Sequence, residues 1–356
     1  MTNQTERTAE LLLNHCNTYP KLQEQDVFKY IFQSVFGCEH LLTDESTALE
    51  HIKREYEKSS KKKSPITEAL DGQYCRIFLS CIDEGLKPET LSRLFCLSAK
   101  REENGKELLI KKLEVAKELV RDDKLPFDSK SFNKSLDEWR AQDYPPIHHS
   151  DEFREDYHPS YRVVAKRYAD FLPLFTAIDR LSEKETLTLA IEGGSASGKS
   201  TLASILKEVY DCNVFHTDDF FLRPEQRTPE RFAEVGGNLD RERFEEEVVR
   251  SLRKNETVRY RPFDCGKQSI GDVISVTPKK LTVIEGVYSM HCAFGKYYDL
   301  AVFLDIDPEY QKKRILKRNT QVLAERFFNE WIPLENKYFA QMKVKNHCDE
   351  VIKISE

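Results

Sequence analysis

The chain has 356 residues, too many for one domain of average size, so we expect at least two domains. Hydrophobic residues make up 39% and charged residues 33%, which is typical of a folded protein with a charged surface, and the net charge of −6 argues against nucleic acid or an anionic membrane as the main partner. No run approaches the ~18 apolar residues of a membrane-spanning helix, the polar amino terminus has no apolar stretch of signal-peptide length, and we expect a cytoplasmic protein.

Residues 1–180 are predicted to form an all-α domain of unknown function. The apolar run 27–36 stops at Gly37, as helices commonly do. Pro88 stands where the first turn of a helix tolerates proline.

Two further helices are predicted in this half. Asn104, followed three residues later by Glu107, is typical of a capping box that opens a helix. Apolar residues recur over 163–178 with a period of about 3.6, which predicts a helix with a kink at Pro173. We find no convincing strand pattern in this half.

Two clusters of polar residues in the helical half are candidate ligand-binding sites. His40, His148 or His149, and His158, together with Glu39, are residue types that bind Zn²⁺ or Fe²⁺. Arg154, Tyr157 and Arg162 would suit an anion. The spacing matches no metal motif, so structural histidines and helix caps remain the favoured interpretation. The segments resemble those of small uncharacterised helical bacterial proteins, which implies no activity.

From residue 187 onward, short apolar runs alternate with helical patterns. This alternation predicts an α/β domain, a parallel sheet with helices on both faces, over residues 181–356. The predicted strands are 187–191, 213–216, 281–284, 300–304 and 350–354, and the predicted helices include 200–209, 241–252, 308–318 and 321–342.

A phosphate-binding loop lies between the first of these strands and its helix. Residues 193–200 read G-x-x-x-x-G-K-S, and the strand–loop–helix context predicts a P-loop NTPase fold that binds a nucleoside triphosphate. Lys199 would reach the β- and γ-phosphates, and Ser200 would ligate Mg²⁺. The predicted nucleotide-binding residues are Gly193, Gly194, Ser195, Ala196, Ser197, Gly198, Lys199, Ser200 and Thr201.

Carboxylates and arginines occur at suitable places around this loop. Asp218 and Glu285 follow predicted strands, and ligands of α/β sheets bind at the carboxyl ends of strands. Arg314 and Arg318, four residues apart, share one face of a predicted helix. The alternatives are a helix or strand cap for Asp218 and a solvated helix face for the arginines. Glu285 is less ambiguous, because a carboxylate at the end of a buried strand needs a partner.

With these segments in this order, the C-terminal half resembles the uridine kinase family of P-loop kinases, which also contains nicotinamide riboside kinases and phosphoribulokinases. The resemblance rests on G-G-S-x-S-G-K-S at 193–200, D-D-F-F at 218–221, the segment from Asn238 through Asp240 to Phe244, E-G at 285–286 and the basic helix 308–318. It extends from Leu187 to the C-terminus and implies a kinase that uses ATP and Mg²⁺.

The resemblance also implies a role for each matching residue. Asp218 would accept the proton of the attacking hydroxyl, and Glu285 would hold the Mg²⁺ shell together with Ser200. Arg314 and Arg318 would close over the triphosphate. The acceptor would be bound by Asp218, Phe220, Asp240, Arg261, Phe263 and Asp264, with Asp240 on the ribose hydroxyls.

The chain departs from the family where the acceptor is recognised. Arg241 stands where uridine kinases typically carry a histidine, and the stretch 260–268 keeps an aromatic–Asp pair without the base-reading residues. Arg241, Arg261 and Lys267 would favour an acceptor that already carries negative charge, such as a sugar phosphate. Arg326 either reaches the acceptor or belongs, with Trp331, to a helix packed on the sheet.

The predicted function is ATP-dependent transfer of the γ-phosphate to a hydroxyl of a nucleoside, with uridine or cytidine as the leading acceptors. One alternative is a kinase for nicotinamide riboside, a sugar or a sugar phosphate. An alternative of another class is a nucleotide-sensing module that regulates the helical domain. The expected partner is a small-molecule acceptor, with neither nucleic acid nor membrane, and homo-oligomerisation and the choice of ATP over GTP stay open.

Overall fold

The computed structural model describes residues 3–38, 44–59, 65–99 and 105–355. The chain divides into two compact units, Met1–Asp179 and Arg180–Glu356. Within the described ranges, no helix is both long enough and apolar enough to cross a membrane.

The first unit is mainly helical, as predicted, and it also contains a small antiparallel sheet. Its helices are α1 Asn3–Thr18, α2 Glu24–Phe36, α3 Glu45–Lys58, α4 Pro88–Ser98, α5 Gly105–Arg121, α6 Ser129–Ala141, α7 Asp151–Tyr157, α8 Lys166–Ala169 and α9 Leu172–Arg180. The sheet consists of β1 Thr67–Ala69, β2 Tyr74–Phe78 and β3 Tyr161–Ala165, in that order.

The sheet corrects the prediction that this unit is all-α. Strand β2 is buried along its whole length, so it lacks the alternation of apolar and polar residues that reveals a strand. Val163 and Val164 belong to β3 and not to a helix. Pro173 is the second residue of α9, where a proline removes no helical hydrogen bond, so it begins a helix and does not kink one.

Two helix boundaries in this unit were predicted correctly. Helix α2 ends at Gly37, which has φ 59°, and a Cβ there would lie 2.5 Å from the Tyr74 ring. Both the backbone conformation and the packing therefore favour glycine. Helix α4 begins at Pro88. The predicted capping residue Asn104 lies outside the described residues.

The second unit contains a five-stranded parallel sheet, which confirms the predicted fold class. The sheet consists of β4 Leu187–Gly193, β5 Cys212–His216, β10 Leu281–Glu285, β11 Leu300–Ile306 and β12 Glu350–Ile354. Four shorter strands lie outside it: β6 Val258–Tyr260, β7 Phe263–Asp264, β8 Ser269–Ile270 and β9 Ile274–Val276. The helices of the unit are α10 Lys199–Val209, α11 Pro229–Ala233, α12 Arg241–Phe244, α13 Arg250–Arg253, α14 Pro308–Arg318, α15 Gln321–Arg326 and α16 Ile332–Gln341.

The strand order of the sheet is β12-β11-β4-β10-β5, so β4 lies at its centre. Leu189, Ala190 and Ile191 of β4 are completely buried, as expected for a strand covered on both faces. In the register of the sheet, Glu285 is paired with Ile191 on one side and with His216 on the other. The ends of β5 and β10 therefore meet beside the loop that follows β4.

Two predicted helices contain a π turn. Residues Glu245–Val249 connect α12 to α13, and residues Phe327–Trp331 connect α15 to α16. The second turn ends two residues before Pro333, which cannot donate a helical hydrogen bond. The looser winding removes the need for that bond and keeps the helix continuous.

Two antiparallel strand pairs, β6 with β9 and β7 with β8, lie between α13 and β10. The sequence did not reveal them, because strands of two or three residues are too short for a recognisable alternation.

Candidate active site

The loop between β4 and α10 has the geometry of a phosphate-binding loop. Gly198 is the N-cap of α10 and has φ 104°, a conformation that side chains with a Cβ rarely adopt. The Lys199 Nζ atom donates to the carbonyl oxygens of Gly193 at 2.8 Å and Gly194 at 3.0 Å. The ammonium group thus lies over the loop, and the N-terminus of α10 completes a site for an anion.

Glu285, at the end of β10, connects the loop to β5. Its Oε1 atom accepts from the Ser200 hydroxyl at 2.9 Å and from His216 Nδ1 at 2.5 Å. Burial by itself would raise the pKa of Glu285, but the His216 hydrogen bond and the charge of Lys199 outweigh it and lower the pKa. Glu285 is therefore ionised at neutral pH.

The oxygen atoms at this edge of the sheet fit a magnesium ion. Among the described residues, none donates a hydrogen bond to Glu285 Oε2, and the Ser200 side chain is exposed. Mg²⁺ is commonly bound by one or two protein oxygens together with phosphate oxygens and water. Ser200 and Glu285 would hold the ion, which would neutralise charge on the β- and γ-phosphates.

Asp218 lies in a short 3₁₀ turn, Thr217–Phe220, that follows β5. Its side chain is exposed to the cavity described below, and no described residue donates a hydrogen bond to it. Surrounding protein atoms raise its pKa by desolvation; Lys199 opposes this shift and the charge of Glu285 adds to it. A carboxylate with a raised pKa and free oxygen atoms is suited to accept a proton.

The predicted arginines of α14 lie at the same site. Arg314 and Arg318 both line the cavity, and the Arg314 guanidinium lies 3.8 Å from the position that a Cβ of Gly198 would occupy. Neither arginine forms an ion pair with a described carboxylate. Arg326 lines the cavity as well, with its guanidinium 4.9 Å from the centre of the Trp331 ring.

One cavity of about 880 Å³ contains all these groups. This volume is within the range of small-molecule sites. Polar and charged residues, including Lys199, Ser200, Asp218 and Glu285, form one part of its lining. The other part is mainly apolar and aromatic and includes Phe221, Leu222, Phe232, Leu239, Phe263, Leu323, Phe327, Trp331 and Leu334.

The acceptor residues implied by the resemblance are only partly at this cavity. Asp218 and Phe263 line it, but Phe220 is buried in the core against Phe244. Asp240 is buried and caps α12, where Oδ1 accepts from the Arg243 N–H at 3.3 Å. Asp240 therefore does not line the cavity, and this geometry does not support its role on ribose hydroxyls.

Asp264 and Arg261 are engaged elsewhere. Asp264 Oδ1 accepts the backbone N–H groups of Gly266 at 2.9 Å and Lys267 at 3.0 Å, so it holds a turn. Arg261 forms an ion pair with Glu247 at 2.7 Å. Neither residue lines the cavity.

The three cations that would favour a negatively charged acceptor are also engaged away from the cavity. Arg241 pairs with Glu234, and Lys267 lies 3.6 Å from Asp264 with 81% of its side chain exposed. Together with Arg261, all three cations have a carboxylate partner outside the cavity. The cation that does line the acceptor side is Arg227, beside the Phe263 ring at 5.7 Å.

Sequence reasoning missed the residues that hold the loop from α14 and α16. The Glu335 carboxylate accepts from the Ser195 backbone N–H at 2.8 Å and from the Ser195 hydroxyl at 2.5 Å. Gln311 Nε2 donates to the Ser195 carbonyl at 2.7 Å. No local pattern indicates these contacts, because the partners are more than a hundred positions apart. Phe339 packs on Phe303 of the sheet, whereas Trp331 lines the cavity.

Two ligand sites were considered for the first unit, and one of them lies partly outside the described residues. Glu39 and His40 lie outside the described residues, and within the described part no three His, Cys, Asp or Glu side chains cluster to hold a metal ion. Arg162 pairs with Glu55 at 2.8 Å, and the Tyr157 hydroxyl accepts from the Lys21 N–H at 2.9 Å. Arg154 lies at a separate cavity.

Comparison with known proteins points to kinases for the second unit. No protein-family model matches the chain. A curated uridine kinase from Chlamydia pneumoniae is 26% identical over 148 residues, which is 39% of this chain and 65% of that protein. About half of the chain is thus similar to a uridine kinase-like P-loop kinase region, and the match spans less than two thirds of that relative.

Two solved structures are similar at lower identity. One, described as a possible uridine kinase from Bacillus stearothermophilus, is 21% identical with a TM-score of 0.39, covering 51% of this chain and 99% of that one. The other, a candidate fructose transport system kinase from Silicibacter sp. TM1040, is 19% identical with a TM-score of 0.38, covering 47% and 89%. At these scores the fold class rests on the strand order and the loop geometry.

Proposed function

We propose that the second unit is an ATP- and Mg²⁺-dependent phosphotransferase that phosphorylates a hydroxyl of a nucleoside, with uridine and cytidine as leading acceptors. One observation carries the proposal: a single cavity contains Lys199 and Ser200 of the loop, the Asp218 carboxylate, and the arginines Arg314 and Arg318, and none of the last three forms an ion pair with a described residue. A module that only senses a nucleotide does not need a proton acceptor beside its phosphate site.

The chemistry follows from the position of each group. Phosphoryl transfer depends mainly on alignment of the reactants and on neutralisation of charge. Lys199, with Arg314 and Arg318, would stabilise negative charge on the transferred group. Asp218 would accept the proton of the attacking hydroxyl, and its raised pKa brings it closer to the pH at which it works. The bound Mg²⁺ would be held by Ser200 and Glu285.

The acceptor part of the cavity favours an uncharged ligand with a flat ring. Phe221 and Phe263 offer aromatic surface, and Asn238 and Gln268 offer amide groups that can hydrogen-bond a base or a sugar. Arg227 is the cation on this side. This lining, together with the similarity to the curated uridine kinase, supports a nucleoside over a sugar phosphate. Nicotinamide riboside and free sugars remain alternatives.

The test is ADP release from Mg-ATP with uridine, cytidine, nicotinamide riboside, ribose and several sugar phosphates. Asp218→Asn is the test variant, and Asp272→Asn, which changes an exposed aspartate outside the cavity, is the matched control. We expect turnover with a nucleoside in the wild type and the control, and its loss in Asp218→Asn. Tight ATP binding without acceptor-dependent ADP release would instead favour the nucleotide-sensing alternative.

A further inference from the structure

The first unit contains a cavity of about 690 Å³ that the kinase proposal does not use. Side chains of α2, α3, α7, β3 and the segments beside them form its walls. Its basic and aromatic lining comprises Lys29, Lys58, His148, His149, Arg154, His158 and Tyr161, and Glu55 is its carboxylate.

Lys29 is the most unusual of these residues. The residue is only 9% exposed, and its Nζ atom donates to the carbonyl oxygen of Ile147 at 3.0 Å. Among the described residues, no carboxylate lies within ion-pair distance of Lys29. Burial of an ammonium group without an opposite charge is costly, and the desolvation lowers the pKa of Lys29 to about 8. An anion in the cavity would offset this cost.

The other charges of the cavity add to its positive potential. Arg154 is half exposed, and its one ion pair within the described residues is with the exposed Asp151 at 3.5 Å. Lys58 has no ion pair with a described residue. The single acidic group, Glu55, is already engaged by Arg162 at 2.8 Å and by the Ser160 hydroxyl at 3.0 Å. Among the described residues, Lys29, Lys58 and Arg154 therefore lack a strong counter-charge.

The wall behind Lys29 is fixed by a buried carboxylate. Asp26 accepts from the Ser150 N–H at 3.1 Å, from the Ser150 hydroxyl at 2.6 Å and from His149 Nδ1 at 2.8 Å. These bonds hold the segment that supplies the Ile147 carbonyl against α2, the helix that carries Lys29. Binding would consequently cost little ordering of the protein.

The same carboxylate orients the imidazole and the tyrosine. Desolvation lowers the pKa of His149 to about 4, so the ring is neutral, donates from Nδ1 to Asp26 and accepts the Tyr161 hydroxyl at Nε2, 2.6 Å away. Gln33 Nε2 donates to the Tyr161 oxygen at 3.2 Å, since Gln33 Oε1 accepts from Arg76. Both rings are thus held rigidly at the cavity.

We propose that this cavity binds the phosphate group of a phosphorylated small molecule, with Lys29 and Arg154 as its principal ligands and Lys58 at the edge. A phosphomonoester carries nearly two negative charges at neutral pH, which matches the uncompensated cations. The volume leaves room for a sugar-sized group beside the phosphate. The site is independent of the phosphotransferase proposal.

Calorimetric titration of the full chain with inorganic phosphate tests the site. The phosphate-binding loop of the second unit is first saturated with Mg²⁺ and a non-hydrolysable ATP analogue. We expect one further phosphate site. Its Kd should rise at least ~10-fold in Lys29→Met and by a smaller factor in Arg154→Gln, because both changes remove a charged hydrogen-bond donor. Lys124→Met, at an exposed lysine outside the cavity, should leave Kd unchanged.

Thermal unfolding without phosphate separates binding from folding. Lys29→Met removes a buried, unpaired charge, so it should not lower the melting temperature. Arg154→Gln alters an exposed side chain and should not affect folding either. No phosphate binding beyond the saturated loop, or equal Kd values in the wild type, Lys29→Met and Arg154→Gln, would overturn the proposal.

Discussion

The Ser200 hydroxyl donates to Glu285 Oε1 across 2.9 Å and so joins the first turn of α10 to the end of β10. The two residues are 85 positions apart, and the parallel sheet brings them together because β10 lies next to β4. The contact places the two groups that would hold Mg²⁺ beside the lysine of the loop. Under the proposed function, Glu285 and Lys199 would together fix the position of the triphosphate.

Glu285→Gln should impair magnesium use more than nucleotide binding. The amide keeps a hydrogen-bond acceptor for Ser200 but loses the charge that attracts the ion. We expect a higher Mg²⁺ concentration for half-maximal activity and a kcat lower by ~10-fold or more. Titration of activity with Mg²⁺ at saturating ATP measures both. An unchanged Mg²⁺ dependence would show that Glu285 does not hold the ion.

The rate should rise with pH as Asp218 loses its proton. Its pKa is raised, so the ionised base becomes available only at a higher pH than for an ordinary aspartate. The logarithm of kcat/KM for the acceptor should therefore climb with pH and then level off. A pH profile of the wild type measures this rise in kcat/KM, and the residual activity of Asp218→Asn should not show it. A flat wild-type profile across the acidic range would contradict the role of a base.

Arg318→Ala should reduce kcat while leaving the fold intact. Arg318 is exposed, lines the cavity and has no described carboxylate partner, so its charge is available to the triphosphate. We expect a loss in kcat of ~10- to 1,000-fold, the range that follows removal of a group that stabilises transition-state charge. Lys317→Ala, an exposed neighbour that does not line the cavity, is the matched control. Equal effects of the two changes would indicate a general surface-charge effect.

Substitution of Arg227 and of Arg261 should have different effects on acceptor binding. Arg227→Ala should raise the KM for the acceptor several-fold, because Arg227 lines the cavity beside Phe263. Arg261→Ala should leave that KM unchanged, because Arg261 is paired with Glu247 outside the cavity. Steady-state kinetics of the two variants compare them directly. A higher KM in Arg261→Ala would restore the case for a charged acceptor.

The first unit should lose stability on mild acidification. The pKa of His149 is about 4 in the folded unit against a usual 6.5, so the unfolded chain binds more protons between these pH values. Stability should therefore fall as the pH drops from 6.5 towards 4, with about 3 kcal/mol as the full effect of the His149 shift. The neighbouring Asp26, whose pKa is lowered, adds a further loss only at lower pH. Burial also lowers the pKa of His15 in the same unit, and its protonation adds a loss of the same sign.

Urea unfolding followed by Trp139 fluorescence in a Trp331→Phe background measures this loss, since the chain has 2 tryptophans. His149→Gln should reduce the pH dependence within that window and leave the part due to His15, while His51→Gln, at an exposed histidine, should keep the full dependence. If His149→Gln shows the same slope as the wild type, another group is responsible.

The parallel sheet was predictable because its strands are short, apolar and separated by clear helical patterns. The positions of three candidate site residues were predictable for a related reason: Glu285 ends β10, Asp218 follows β5, and Lys199 begins α10 after the loop that follows β4, and the carboxyl ends of these parallel strands lie at one edge of the sheet. Helix periodicity also placed Arg314 and Arg318 on one face. In each case a local pattern determines a spatial relationship.

The acceptor side of the cavity was harder to predict from the sequence, because contacts between distant residues decide which side chains line it. Arg261 and Asp240 carry suitable chemistry, yet Glu247 and Arg243 engage them. Glu335 carries no local signal and holds Ser195 from a distant helix. In the first unit, buried Arg76 interrupts the apolar pattern of β2, so that strand was missed.

The most direct test of the account follows the fate of the γ-phosphate. ATP labelled at the γ-phosphate is incubated with Mg²⁺, uridine or cytidine, and either the wild type or Asp218→Asn, and the products are separated. The account predicts label on the nucleoside with the wild type and a loss of ~100-fold or more with Asp218→Asn. Label that stays in ATP, or appears only in inorganic phosphate with every acceptor, would contradict it.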